Sequence, residues 1–100
     1  MILYNVTINI DKAVEEEWLH WMKEVHMPEV MATGIPVAGK VLRLLTEVDN
    51  GGSTYTFQYT FNTLKEYVIY HERYSPALQQ KVLDRYPNKF VSFRSLLEEA

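Results

Sequence analysis

The stretch TYTFQYTF, residues 54–61, decides the fold. Thr54, Thr56, Gln58 and Thr60 alternate with Tyr55, Phe57, Tyr59 and Phe61, and a strict period of two predicts a half-buried β-strand. One face of that strand is aromatic and must be covered. The other is polar and rich in hydroxyls. Just upstream, Asp49-Asn50-Gly51-Gly52 supplies residues that tolerate positive φ, the signature of a tight hairpin turn. Lys40 to Val48 is then the partner strand. A turn centred on Asn50-Gly51 sets Leu44 opposite Phe57, Leu42 opposite Tyr59, Arg43 opposite Gln58 and Leu45 opposite Thr56, and opposed residues share a face. This register predicts Leu42 and Leu44 on the aromatic face and Arg43 and Glu47 among the threonines.

Working outward, Ile2 to Ile10 alternates in the same way, with Ile2, Tyr4, Val6, Ile8 and Ile10 facing inward and Leu3, Asn5, Thr7 and Asn9 facing outward. Asp11 is an N-cap candidate, and Glu15, Glu16 and Glu17 suit the positive end of a helix that follows. Val14, Trp18, Trp21, Met22 and Val25 fall on one helical face. Pro28 has no amide proton and disfavours helical geometry at Met27, so the helix should end or kink there, with one more turn before Gly34. After the third strand, Thr63 and Glu66 have capping-box spacing for a second helix striped by Leu64, Tyr67, Val68, His71 and Tyr74. Ser75-Pro76 reads as a cap and restart, continuing through Leu78, Val82 and Leu83 to Tyr86-Pro87-Asn88. Lys89 to Leu97 is a fourth strand, with Val91 and Phe93 inward and Ser92 and Arg94 outward; Glu98 to Ala100 should fray. The order β-α-β-β-α-β predicts an α+β, ferredoxin-like domain spanning 1–100: a four-stranded antiparallel sheet with two helices on one face.

Composition bounds the function. With 47% hydrophobic and 23% charged residues, this is a globular sequence. A net charge of −3 with no basic cluster argues against nucleic acid or an anionic membrane as partner. The chain has no cysteine, which excludes disulfides, thiolate metal sites and thiol catalysis and suits a cytoplasmic location. MILYNVTINI lacks the basic flank of a signal peptide, and no apolar run approaches the ~20 residues a membrane helix needs.

The outward sheet face is too polar for a dry core, yet Leu3, Val41, Leu45, Phe90 and Leu96 make it too apolar for water alone. A second copy of the sheet should cover it. Here MILYNVTINI, EWLHWMKEVHMPEVMATG at 17–34, LRLL at 42–45, YTFQYTF at 55–61 and KFVSFRSLLE at 89–98 resemble a small bacterial family that carries only a domain-of-unknown-function label. That family lies within the dimeric α/β-barrel superfamily of antibiotic-biosynthesis monooxygenases and stress-responsive barrel proteins. The resemblance implies a homodimeric barrel and transfers no activity.

His26, with Glu29 three residues on, is a candidate general base oriented by a carboxylate; its alternative is a cap on the helix's last carbonyls. His71, between Tyr67 and Tyr74, is either a buried imidazole satisfied by a tyrosine hydroxyl or a catalytic group. Asn5 and His71 resemble positions in haem-degrading barrel relatives, whose third-strand tryptophan is replaced here by Tyr and Phe, so no cofactor is expected. His20 reads as solvated, and the three histidines lack a metal-ligand spacing, so no metal is expected. Arg43 and Arg94, with Gln58 and Asn5, are expected to hold a carboxylate or other small anion, or else to pair across the dimer seam. An RNA-binding reading of YTFQYTF would turn the threonines into the core, which together with the net negative charge argues against it. The expectation is a homodimer binding a small polar or anionic molecule, as a cofactor-free monooxygenase- or isomerase-type enzyme; the alternative is a non-catalytic ligand-binding or interaction module.

Overall fold

A computed structural model describes residues 1–46 and 51–100. Along the chain it forms β1 (Ile2–Asp11), α1 (Glu15–Trp21), a π-helical turn (Met22–His26), α2 (Met27–Ala32), β2 (Ala38–Arg43), β3 (Gly52–Phe61), α3 (Leu64–Arg73), α4 (Ser75–Arg85) and β4 (Phe90–Glu98). The strands form one antiparallel sheet in the order β2-β3-β1-β4. This is the expected ferredoxin-like arrangement, with each crossover helix built in two pieces.

The alternating strands behave as read. Ile2, Tyr4, Ile8 and Ile10 of β1 and Tyr55, Phe57, Tyr59 and Phe61 of β3 are buried against the helices, joined by Trp18, Met22, Val30, Tyr70, Val82 and Tyr86. Trp18 is 0% exposed and meets Phe57 edge-on at 5.6 Å. Truncating a ring in such a cluster costs about 3–5 kcal/mol.

Pro28 does not end the first helix. Its missing N–H is absorbed by the π-helical turn just before it, closed by the Met27 amide donating to the Met22 carbonyl five residues back. Gly34, at φ 78°, then stops the helix as a left-handed residue, its amide donating to the Met31 carbonyl. Asp11 is not the N-cap: its carboxylate accepts from the Ala13 amide in a turn ahead of α1. Thr63 caps α3, accepting from the Glu66 amide at 3.2 Å. Ser75 belongs to α4 and makes no cap bond; its hydroxyl turns inward.

Two strand faces differ from expectation. In the β2–β3 ladder Val41, not Leu44, stands opposite Phe57, and Arg43 stands opposite Tyr55. The shift is three residues, so every β2 side chain changes face. The expected turn at Asp49-Asn50-Gly51-Gly52 and the placement of Glu47 fall partly or wholly outside the described residues; Gly51 itself has φ 80°. In β4, Ser92 pairs with Ile8 and Arg94 with Val6, so these two face the helices, and Val91 and Phe93 face away, 72% and 62% exposed. Apolar residues alternate on both faces of β4, so pairing with β1 decides its orientation. The open face of the sheet therefore collects Leu3, Asn5, Thr7, Asn9, Leu42, Thr54, Thr56, Gln58, Val91, Phe93 and Leu97.

Candidate functional site

Between the sheet and α4, a cavity of about 130 Å³ reaches from Tyr59 and Tyr70 to a mouth marked by the exposed Leu83, Ser92 and Arg94. Its floor is β1 and β3, which contribute Tyr4, Val6, Ile8, Phe57 and Tyr59. The roof is Met22, His26 and Val30 of the first helix and Ser75, Leu78, Gln79 and Val82 of α4. The alternation of β1 and β3 that builds the core thus also points phenols into it.

The polar groups converge. Arg94 Nε donates to Tyr4 Oη at 2.9 Å, and Gln79 Nε2 donates to Ser75 Oγ at 2.6 Å. The Ser75 hydroxyl faces the same cavity as the Tyr4 and Tyr70 phenols. Burial pushes the Tyr4, Tyr59 and Tyr70 phenols above their ordinary range, so all three stay protonated donors at neutral pH. Tyr59 Oη, on a residue 2% exposed, has no hydrogen-bond partner among the described residues. A buried hydroxyl left unpaired costs about 1–3 kcal/mol, a cost that a bound molecule offering an acceptor would remove.

The π-helical turn positions His26. Residues five apart on a regular α-helix differ by about 140° and do not face one another. The wider turn brings Trp21 and His26 into a stack, ring centroids 5.9 Å apart and 25° between planes. Burial pulls the imidazole down to about 4, only partly opposed by the nearby Glu29 carboxylate and reinforced by Lys81. His26 is therefore neutral at pH 7, with a nitrogen free to accept a proton. Single-turn π-bulges recur at functional sites.

The sequence-derived candidates scatter around this cavity. His26 and Arg94 line it; Arg94 comes from the helix side of β4, not from the open face. Glu29 pairs with Lys81 at 2.6 Å instead of orienting His26 by a hydrogen bond. His71 is exposed and stacks on Tyr67 at 5.7 Å, outside the cavity, so the buried, tyrosine-bonded imidazole expected there is corrected. Asn5 and Gln58 face each other across β1 and β3 on the open side. Arg43 sits on the helix side at the sheet edge, its guanidinium carbon 5.8 Å above Tyr55. The four presumed ligand-binding residues do not form one site. Tyr4, Tyr59, Tyr70, Ser75 and Gln79 were missed, though one signal was present: tyrosine at inward strand positions carries a hydroxyl into the core, where it needs a partner. Among the described residues no cluster of metal-ligating side chains forms.

Solved structures share this fold. HapK from Hahella chejuensis superposes with a TM-score of 0.73 at 14% identity, over 100% of this chain and 93% of that one. A candidate antibiotic biosynthesis monooxygenase from Nitrosomonas europaea gives 0.68 at 8% identity, over 99% and 98%. A dimeric ferredoxin-like protein from an uncultured marine organism gives 0.59 at 12%, over 99% and 96%. Among curated protein sequences, nothing matches. The sequence itself matches one family from end to end, and the chain belongs to it: the domain of unknown function DUF4286, matched over residues 1–100.

Proposed function

We propose that this protein binds a small polar or anionic organic molecule in the cavity between the sheet and α4 and performs proton-transfer chemistry on it without a cofactor. The observation that carries this is Tyr59 Oη, buried without a hydrogen-bond partner among the described residues, in a cavity that a neutral imidazole also lines. His26 would take a proton from a carbon next to a carbonyl, the electron pair moving onto the carbonyl oxygen. Phenol donors such as Tyr59 would hold that oxygen as charge develops. Return of the proton to a different carbon is an isomerisation; in the monooxygenase variant the same carbanion adds dioxygen to give a hydroperoxide, which loses water with the carbon's second hydrogen and leaves a new carbonyl there, the substrate supplying both electrons. The neighbour described as dimeric and the apolar open face support a homodimer packed through that face.

The test uses phenylpyruvate, an enolisable single-ring compound, in D2O. Deuterium should enter its methylene group faster with protein than without, and His26→Asn should lower that acceleration by roughly a hundredfold or more. Binding seen by NMR with no protein-dependent exchange would leave a non-catalytic binding module. No binding, or binding undisturbed when Ser92→Trp closes the mouth, would remove the cavity reading.

A further inference from the structure

Building on that cavity, we propose that its ligand is a single-ring monocarboxylate, its carboxylate on the free edge of Arg94 and an oxygen further along the molecule on Tyr59 Oη. Size sets the first limit. An engineered apolar cavity of about 150 Å³ accepts benzene, so one of about 130 Å³ with an open mouth takes one ring and a short substituent, not a fused system.

Charge sets the second. Among the described residues lining the cavity, Arg94 is the only formally charged side chain and no Asp or Glu is present. In a chain with 13 acidic and 10 basic residues, an acid-free wall is not explained by scarcity of acids. Other cations nearby are already engaged: Lys81 with Glu29, and Arg85 with Glu17 while lying 5.2 Å from the Trp21 ring. Arg94 has no carboxylate partner among the described residues. Its one hydrogen bond among the described residues, from Nε to Tyr4, fixes the plane of the guanidinium and leaves the terminal nitrogens to grip a planar anion at two points. One guanidinium in an otherwise uncharged wall matches a monoanion better than a phosphate dianion.

Tyr59 sets the third. Its ring lies 6.5 Å from that of Tyr4, the phenol that Arg94 holds, so the carboxylate and the second oxygen are recognised by neighbouring elements. Val6, Ile8, Val30, Phe57 and Leu78 offer apolar walls to the ring between them.

Isothermal titration of 4-hydroxybenzoate and its neutral analogue 4-hydroxybenzamide tests this. The wild-type protein should bind the acid at least tenfold more tightly. Arg94→Met should abolish that preference, and Arg94→Lys, which keeps the charge but not the fork, should restore part of it. Arg94 is exposed, so both variants should fold, as an unchanged unfolding midpoint would confirm. Equal binding of acid and amide, or acid binding unaffected by Arg94→Met, overturns the carboxylate proposal. If Ser92→Trp then blocks both compounds, the cavity reading survives that failure; if it blocks neither, or neither binds at the outset, both fall.

Discussion

His26 shows how a single residue records its surroundings. Its imidazole is pulled from 6.5 to about 4 because burial penalises the cation more than Glu29 favours it, while Lys81 adds to the penalty. The unfolded chain therefore binds a proton that the folded chain refuses, and stability must fall as pH drops from 6.5 towards 4, then level off. The shift corresponds to about 3 kcal/mol. Urea denaturation at pH 7 and pH 4.2 should show a loss of that order, and His26→Phe, which keeps the stack on Trp21 but cannot titrate, should remove most of it. A wild-type stability flat over this window would show that the imidazole is solvated. The sequence placed His26 two residues before Pro28 and made it a candidate, but its cavity position depends on the π-helical turn, which no spacing rule announces.

At the scale of elements, the joint between α1 and β3 rests on Glu15. One carboxylate oxygen accepts from Ser53 Oγ at 2.8 Å and the other from Tyr55 Oη at 2.6 Å. The Tyr55 hydrogen bond is the main reason that the Glu15 carboxyl sits below its ordinary range, with Ser53 assisting. Depression of a carboxyl gives stability that is present at neutral pH and lost as pH falls from about 4.5 through the folded value. A double-mutant cycle of Glu15→Gln and Tyr55→Phe should give a coupling of about 1–2 kcal/mol at pH 7, in the range of charge-assisted hydrogen bonds. Additive losses would mean that the bond contributes nothing in solution. The acidic run Glu15 to Glu17 read simply as helix chemistry, because a tie to a strand 38 residues away leaves no local signal. Element order and the faces of β1 and β3 were legible for the opposite reason: strict alternation declares its own inward side. The β2 register was not, because it hung on an assumed turn at Asn50-Gly51 and a three-residue offset reverses every side chain. The faces of β4 were ambiguous because Phe90 and Leu96 on one side are balanced by Val91, Phe93 and Leu97 on the other. Those two inversions moved Arg43 and Arg94 to the helix side and dissolved the expected four-residue ligand site.

For the whole molecule, the same inversions take both arginines off the open face and leave it as many apolar side chains as the sequence suggested. Leu42, Val91, Phe93 and Leu97 are all 43% exposed or more, beside a polar centre in which Thr7 hydrogen-bonds Thr56 and Asn9 donates to Thr54. Asn5 Oδ1, on the same face, is shielded from water without a partner among the described residues. Such a face, apolar towards its edges and hydrogen-bond-ready at its centre, suits a second copy of itself better than bulk water, since a two-fold axis returns each acceptor to an equivalent donor-bearing surface. A standard interface would remove about 800 Å² per partner, a modest part of the 6323 Å² that the chain exposes. Phe93 is the natural anchor, an aromatic on an exposed sheet surface. Light scattering coupled to size-exclusion chromatography should give twice the 11.8 kDa chain mass. Phe93→Lys should bring the mass down to one chain without loss of the circular dichroism spectrum, because the side chain is 62% exposed and faces away from the helices. The cavity lies on the opposite side of the sheet, so a monomeric Phe93→Lys protein should keep the preference for the acid that Arg94→Met abolishes. A wild-type protein of single-chain mass at every accessible concentration would show instead that this face is tolerated in water, and loss of binding on dissociation would show that the partner shapes the cavity through the sheet.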